Sequence, residues 1–271
     1  MKDITPRWRQ LVIVMGAAVG LWLALLLVFW PGRSLQSETA ELRQLAAADG
    51  IEIVTADPGF PIKTYHGLIN GSAAGADELA NYVPLFLREF ELYPPQLIHR
   101  AKIRRVVLCR NLSFAGQLRN AIPDFEHDTL YYEVCRGSHG RAYLRGVVHH
   151  EFFHIVDYLD DGELYRDNGW SALNPAAFKY GTGGVNAQDD PTTSLLTDRY
   201  PGFLNHYSTT GVEEDKAEVF SNLIARTFYV QQRMATDQVL SAKVTRMKAL
   251  MHSFCPEIDD GFWTKAAQPR E

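Results

Sequence analysis

His150-Glu151-Phe152-Phe153-His154 decides the reading of this chain. It lies inside Arg141 to Leu159, where the side-chain pattern is helical. On a helix, residues four apart share one face about one turn apart, so His150 and His154 can reach a single metal ion together. Glu151 then sits beside the metal without ligating it, placed to take a proton from water that the metal activates.

A catalytic zinc ion takes three protein ligands and keeps a fourth position open, so a third donor must come from elsewhere in the chain. Glu214-Asp215-Lys216-Ala217-Glu218 offers it at the start of a predicted helix that continues into the apolar VFSNLIARTF. Glu214 and Glu218 share a face there; one can bind metal and the other can orient a ligand. Glu213 and Asp215 point off that face and suit the helix N-terminus as negative charge. His149 points about 100° away from His150 and reads as an incidental neighbour. Asp157, seven after His150 and three after His154, lies on the histidine face and could accept a hydrogen bond from an imidazole or remain on the surface. The rivals to Glu214 as third ligand are Glu213, Asp215 and Glu218, and a competing arrangement would use Asp189, Asp190 or Asp198.

Taken together, HEFFH and a helical E-x-x-x-E some sixty residues later resemble the gluzincin metallopeptidases, thermolysin-like and lethal-factor-like. The resemblance covers about residues 150–220. It implies an α+β, zincin-like domain with a small sheet, an active-site helix and a helical C-terminal part. It further implies one zinc ion per chain on His150, His154 and Glu214, with Glu218 supporting a histidine and Glu151 as catalytic base. Tyr207, seven before Glu214, matches a tyrosine of the lethal-factor-like branch that stabilises the oxyanion. The chain lacks the Asn-Glu pair of the thermolysin pattern, so substrate specificity does not transfer. The resemblance implies a peptide or protein substrate. The alternative is a catalytically silent, zinc-binding scaffold of the same fold, against which an intact Glu151 argues.

Outside the motif, residues 11–30 contain no charged side chain. Twenty such residues span roughly 30 Å as a helix, enough for one bilayer crossing. Lys2, Arg7 and Arg9 precede that run, which keeps the N-terminus cytoplasmic and sends the body across the membrane. The expected organisation is a cytoplasmic tail (1–10), a signal anchor (11–30), a linker (31–49) and the metallopeptidase domain (50–271). A short basic tail with one anchor suits a bacterial inner membrane with the domain in the periplasm. The net charge of −5 excludes nucleic acid as a partner, since phosphate binding needs clustered Lys and Arg.

Strands are expected at Ile51 to Asp57, Lys102 to Cys109 and Thr129 to Val134, the last either a core strand or an edge on which a peptide docks. Helices are expected at Ala73 to Leu92, kinked or split by Pro84, at Glu213 to Val230 and at Asp237 to Phe254. Ser113 to Asp128 reads as helix or loop, and Asp160 to Tyr207 as a long irregular connection. Three cysteines forbid complete internal pairing, and Cys109 with Cys135 can bridge or stay free.

Overall fold

The computed structural model describes residues 35–135, 140–183 and 192–269. The predicted anchor and tail, and Asp189 and Asp190, lie outside these residues. Among them, no helix is long and apolar enough to cross a membrane.

The chain enters through α1 (Leu35–Asp49). Within the expected linker, Ser37 to Ala48 reads from sequence as a short polar helix or linker; it is helix, and Leu42 and Leu45 are buried in the main core. A mixed sheet follows: β1 (Glu52–Val54), β2 (Ile62–Thr64) and β3 (Gly67–Ala73) come first. After α2 (Ala76–Phe90) and α3 (Pro95–Arg100) the chain returns as β4 (Arg105–Phe114), β5 (Gln117–Leu118), β6 (Ala121–Asp124) and β7 (Thr129–Glu133). Pro84 is accommodated inside α2, which runs through it as one element.

The sheet is built around β4. Its first half pairs in parallel with β1 and β7, and its second half pairs antiparallel with β3 and β5. Alternation explains why both faces can be covered: successive residues of a strand face opposite sides. Val106 and Leu108 enter the larger core against the helices, whereas Val107 and Cys109 enter a second cluster with Ile69 and Tyr131. β7 is paired on both sides, to β4 and to β6, and all five of its residues are buried. It is therefore the core strand of the two readings, and among the described residues β6, like β2 at the other end, is an edge paired on one side only.

Ser113 to Asp128 is strand rather than helix. Ala115 and Gly116 both have positive φ, 48° and 84°, which makes the two-residue reversal that suits the twist of a β-hairpin. Ala-Gly is a weak signal for it, because alanine seldom adopts that conformation.

The motif helix is α4 (Arg141–Asp161), stopped by Gly162 at φ 79°. Phe152 and Phe153 are fully buried on it, each worth about 1.5–3 kcal/mol of apolar burial. A short helix, α5 (Asn168–Ser171), and the turn Tyr207–Thr209 interrupt the long connection. Then come α6 (Val212–Ala225), α7 (Thr227–Met234), α8 (Gln238–Phe254) and α9 (Asp260–Ala266). The expected single helix over Glu213 to Val230 breaks at Arg226, whose φ and ψ of −142° and 43° are not helical. α6 packs on α4 through Phe220, stacked on Phe153 with ring centroids 5.1 Å apart. That contact brings the two halves of the sequence motif together. Cys109, Cys135 and Cys255 are all free.

Candidate metal centre

Three donor atoms converge where α4 and α6 cross. His150 Nε2 lies 3.0 Å from Glu214 Oε2 and 3.1 Å from His154 Nε2, and His154 Nε2 lies 3.5 Å from Glu214 Oε2. Ligands at zinc–nitrogen and zinc–oxygen distances of about 2.0–2.2 Å in a tetrahedron stand roughly 3.3–3.6 Å apart. The triad is close to that spacing before any ion is considered, and the donor set of two imidazoles and a carboxylate suits zinc. Among the described residues this is the one group of three that could hold a metal ion. Asp198 is exposed and outside it.

The surroundings orient each donor. Glu218 Oε1 lies 3.3 Å from His150 Nδ1, so the Nδ1 proton can face Glu218 and leave the Nε2 lone pair toward the centre. Glu218 is itself held by the amides of Asn205 and Asn222, which donate to Oε2 at 2.8 and 2.9 Å. The Tyr207 hydroxyl donates to Glu214 Oε1 at 2.8 Å, which turns Oε2 toward the histidines. Burial opposes ionisation of Glu214, but hydrogen bonds from His150 and His154 overcome it and hold the carboxyl well below its usual range. Burial likewise opposes the charged form of His150, and the carboxylates of Glu214 and Glu218 outweigh it and raise the imidazole well above its usual range.

Glu151 sits next to the triad and lines the cleft. Burial pushes its carboxyl up, partly offset by His150 and His154. Asp157 is placed differently from the expected imidazole contact: it pairs with Lys216, which also pairs with Asp167 at 3.2 Å. Among the described residues, the buried Nδ1 atom of His154 has no hydrogen-bond partner. His149 is buried away from the triad, with Glu89 Oε2 at 2.9 Å from Nε2 and the Tyr93 hydroxyl at 2.5 Å from Nδ1. Asp215 is no surface charge at a helix end. It is fully buried and accepts hydrogen bonds from Lys243, Trp170 and Tyr180. His206, next to Tyr207, is exposed and stacked on Tyr200.

A cleft of about 1140 Å³ opens over the triad. One wall is β6 with the β2–β3 turn; the other is the segment after α4 together with Tyr180–Gly183 and the start of α6. Gly181 and Gly183 are pinned to that wall by backbone hydrogen bonds from their N–H groups to the carbonyls of Thr209 and Thr210, 3.1 and 2.8 Å. Asn205 and Asn222 escaped the sequence reading, since an amide that holds a carboxylate carries no spacing signal of its own.

No protein-family model matches the chain, and no curated protein matches it. In three dimensions it is similar to a solved structure described as "a putative zinc-binding metallo-peptidase from Bacteroides caccae ATCC 43185". The TM-score is 0.53 and the identity 14%, over 85% of this chain and 91% of that one. At such identity the likeness establishes the fold: this chain has the mixed α and β fold of that protein, with a His-His-Glu cluster on the floor of its cleft that could hold a metal.

Proposed function

We propose that this chain is a membrane-anchored zinc peptidase of gluzincin type, with His150, His154 and Glu214 as ligands of one zinc ion and Glu151 as general base. The convergence of three donor atoms within 3.5 Å of one another on the floor of an open cleft carries this reading. A zinc ion held there would supply a Lewis acid that lowers the pKa of bound water toward about 7 and polarises a carbonyl group.

The remaining roles belong to the chain. A carboxylate oxygen of Glu151 accepts a proton at the cleft floor and hands it to the departing amine. Glu218 fixes the ring of His150, and Asn205 and Asn222 fix Glu218. Tyr207 holds the outer oxygen of Glu214, and its hydroxyl can serve the oxyanion only by leaving that contact. Asp157 acts through Lys216, tying α4 to α6 rather than touching an imidazole.

A peptide substrate is favoured over other amides by the free edge of β6. Glu133 N–H bonds Asn120 O, and Ala121 stands opposite Tyr132. Antiparallel alternation therefore turns the backbone groups of Ala121 and Pro123 away from β7, toward the open side. Proline is tolerated on such an edge because its missing N–H is not needed by the ladder. An extended peptide can add there as a further strand beside the triad.

The test uses the full chain in detergent. Metal content is measured by mass spectrometry and cleavage with a peptide library, for the native protein, Glu151→Gln and Glu214→Ala. Expected are one zinc per native chain with cleavage, retained zinc without cleavage in Glu151→Gln, and lost zinc in Glu214→Ala. Zinc without cleavage in the native chain supports the silent scaffold instead. A native chain that takes up no zinc overturns both.

A further inference from the structure

The acids of the metal centre belong to a longer row on α6. Glu214, Glu218, Asn222 and Arg226, the residue that ends the helix, stand four apart and so follow one ridge. On α4 the matching row is Gly146, His150 and His154. The two rows meet in opposite order. His154 Nε2 lies 3.5 Å from Glu214 Oε2, His150 Nδ1 lies 3.3 Å from Glu218 Oε1, and a Cβ on Gly146 would lie 3.4 Å from Arg226 Nη1. The guanidinium of Arg226 therefore rests against α4 one helical turn before His150, where glycine presents no side chain.

Along this row each polar group is oriented by the next. Arg226 Nη1 donates to Asn222 Oδ1 at 2.8 Å. Asn222 Nδ2 in turn donates to Glu218 Oε2 at 2.9 Å and to the Glu218 carbonyl at 2.8 Å. Glu218 then turns its other oxygen to His150. Asn222 is 1% exposed, so its amide depends on protein partners at both ends. In the observed direction it presents two N–H groups to two acceptors and its oxygen to a cation. Reversed, its oxygen would face two oxygens and its nitrogen a guanidinium. A charged donor at the far end also strengthens the bonds that follow, because each polarises the next.

We propose that Arg226 is a positioning residue of the metal centre: its guanidinium fixes the Asn222 amide, which fixes Glu218 and through it the ring of His150. Arg226 touches neither metal nor substrate and sets how firmly one imidazole is aimed. This rests on the zinc reading above and carries the support of its ligands to the far end of α6.

The experiment uses the full chain in detergent and two readouts apart from turnover: zinc affinity by competition with a chromophoric chelator, and the visible absorption of the cobalt(II)-loaded chain. Arg226→Met is expected to weaken zinc binding about tenfold and to shift the cobalt bands, as the ring of His150 loses its fixed direction. Arg226→Lys, which retains a donor for Asn222 Oδ1, is expected to recover most of the affinity. On an Asn222→Ala background the route is already cut, so adding Arg226→Met should change affinity by less than about twofold. An unchanged affinity and cobalt spectrum in a folded Arg226→Met chain overturns the proposal, as does a loss that persists in full on the Asn222→Ala background. Far-ultraviolet circular dichroism of the metal-free chains establishes folding. If Arg226→Met does not fold, Arg226→Gln, polar but too short for this reach, takes its place and the same outcomes decide. A native chain that takes up no zinc defeats the zinc reading and this proposal with it, whereas zinc bound equally by native and variant chains defeats only this one.

Discussion

Replacing Lys243 with methionine removes one charge from the interior and leaves its partner behind. Lys243 Nζ lies 2.8 Å from Asp215 Oδ2 and donates to Gly202 O at 2.8 Å, over the ring of Phe203 at 3.6 Å. Both side chains of the pair are fully buried. Burial raises the Asp215 carboxyl, against the opposing pull of Lys243, and lowers the Lys243 ammonium. Breaking such a pair costs about 3–5 kcal/mol because a charge is left uncompensated. Asp215 has an escape, which is to take up a proton. From an unfolded value of about 3.9, protonation costs roughly 4 kcal/mol at pH 7 and about 1.5 kcal/mol at pH 5. Hydrogen bonds from Tyr180 and Trp170, 2.6 and 2.8 Å, remain and soften the loss. The sign follows: in Lys243→Met the folded value of Asp215 is raised above the unfolded one, so stability is retained at low pH and lost as pH rises through the folded value. Urea unfolding of native and variant chains at about pH 7 and pH 5 measures this. A deficit of about 3–4 kcal/mol at pH 7 that shrinks by about 2 kcal/mol at pH 5 is expected. A deficit under about 1 kcal/mol at pH 7, or one equal at both pH values, refutes the argument.

Glu218→Ala frees the ring of His150 and should weaken zinc binding about 10–100-fold, read by competition with a chromophoric chelator. Asp237 caps α8, accepting from Leu240 N–H at 2.9 Å, from Gly202 N–H at 2.7 Å and from Arg233 at 3.0 Å. Burial opposes its ionisation, but those donors prevail and depress its folded value, so its stabilisation is present above the unfolded value of about 3.9 and is lost as pH falls through the lower folded one. Asp237→Asn should therefore flatten the acid limb of a stability–pH profile below about pH 4, and an unchanged limb counts against it. Leu45→Ala should cost about 2–4 kcal/mol in urea unfolding if α1 is part of the core, and nearly nothing if that segment is a linker.

Much of the fold was legible where one local rule dominates. β4 and β7 were visible as runs of Val, Leu and Tyr, and α4 and α8 as helical patterns, because each side of these elements meets a uniform environment. Short pieces were not. β2, β5 and β6 have two to four residues each, too few for alternation to stand out, and their existence depends on what β3, β4 and β7 offer as partners. The break of α6 at Arg226 was hidden because Ala225-Arg226-Thr227 carries neither glycine nor proline. Ser37 to Ala48 could be read as a short polar helix or a linker for a similar reason: α1 is mostly polar, and two leucines suffice to seat it on the core.

The candidate site divides along the same line. His150, Glu151 and His154 were set by sequence, since a spacing of four on a helix fixes relative direction without help from the rest of the chain. The sequence also marked Glu214 and Glu218 as a pair on one face. Only the packing of α4 against α6 decided that Glu214 is the acid that meets both histidines, while Asp157 is drawn to Lys216 and Asp215 to Lys243. A charged side chain that leaves water is claimed by whichever opposite charge or donor the fold brings near, and that neighbour is distant in sequence. Helical spacing fixes where a donor points; tertiary contact alone fixes what it finds there.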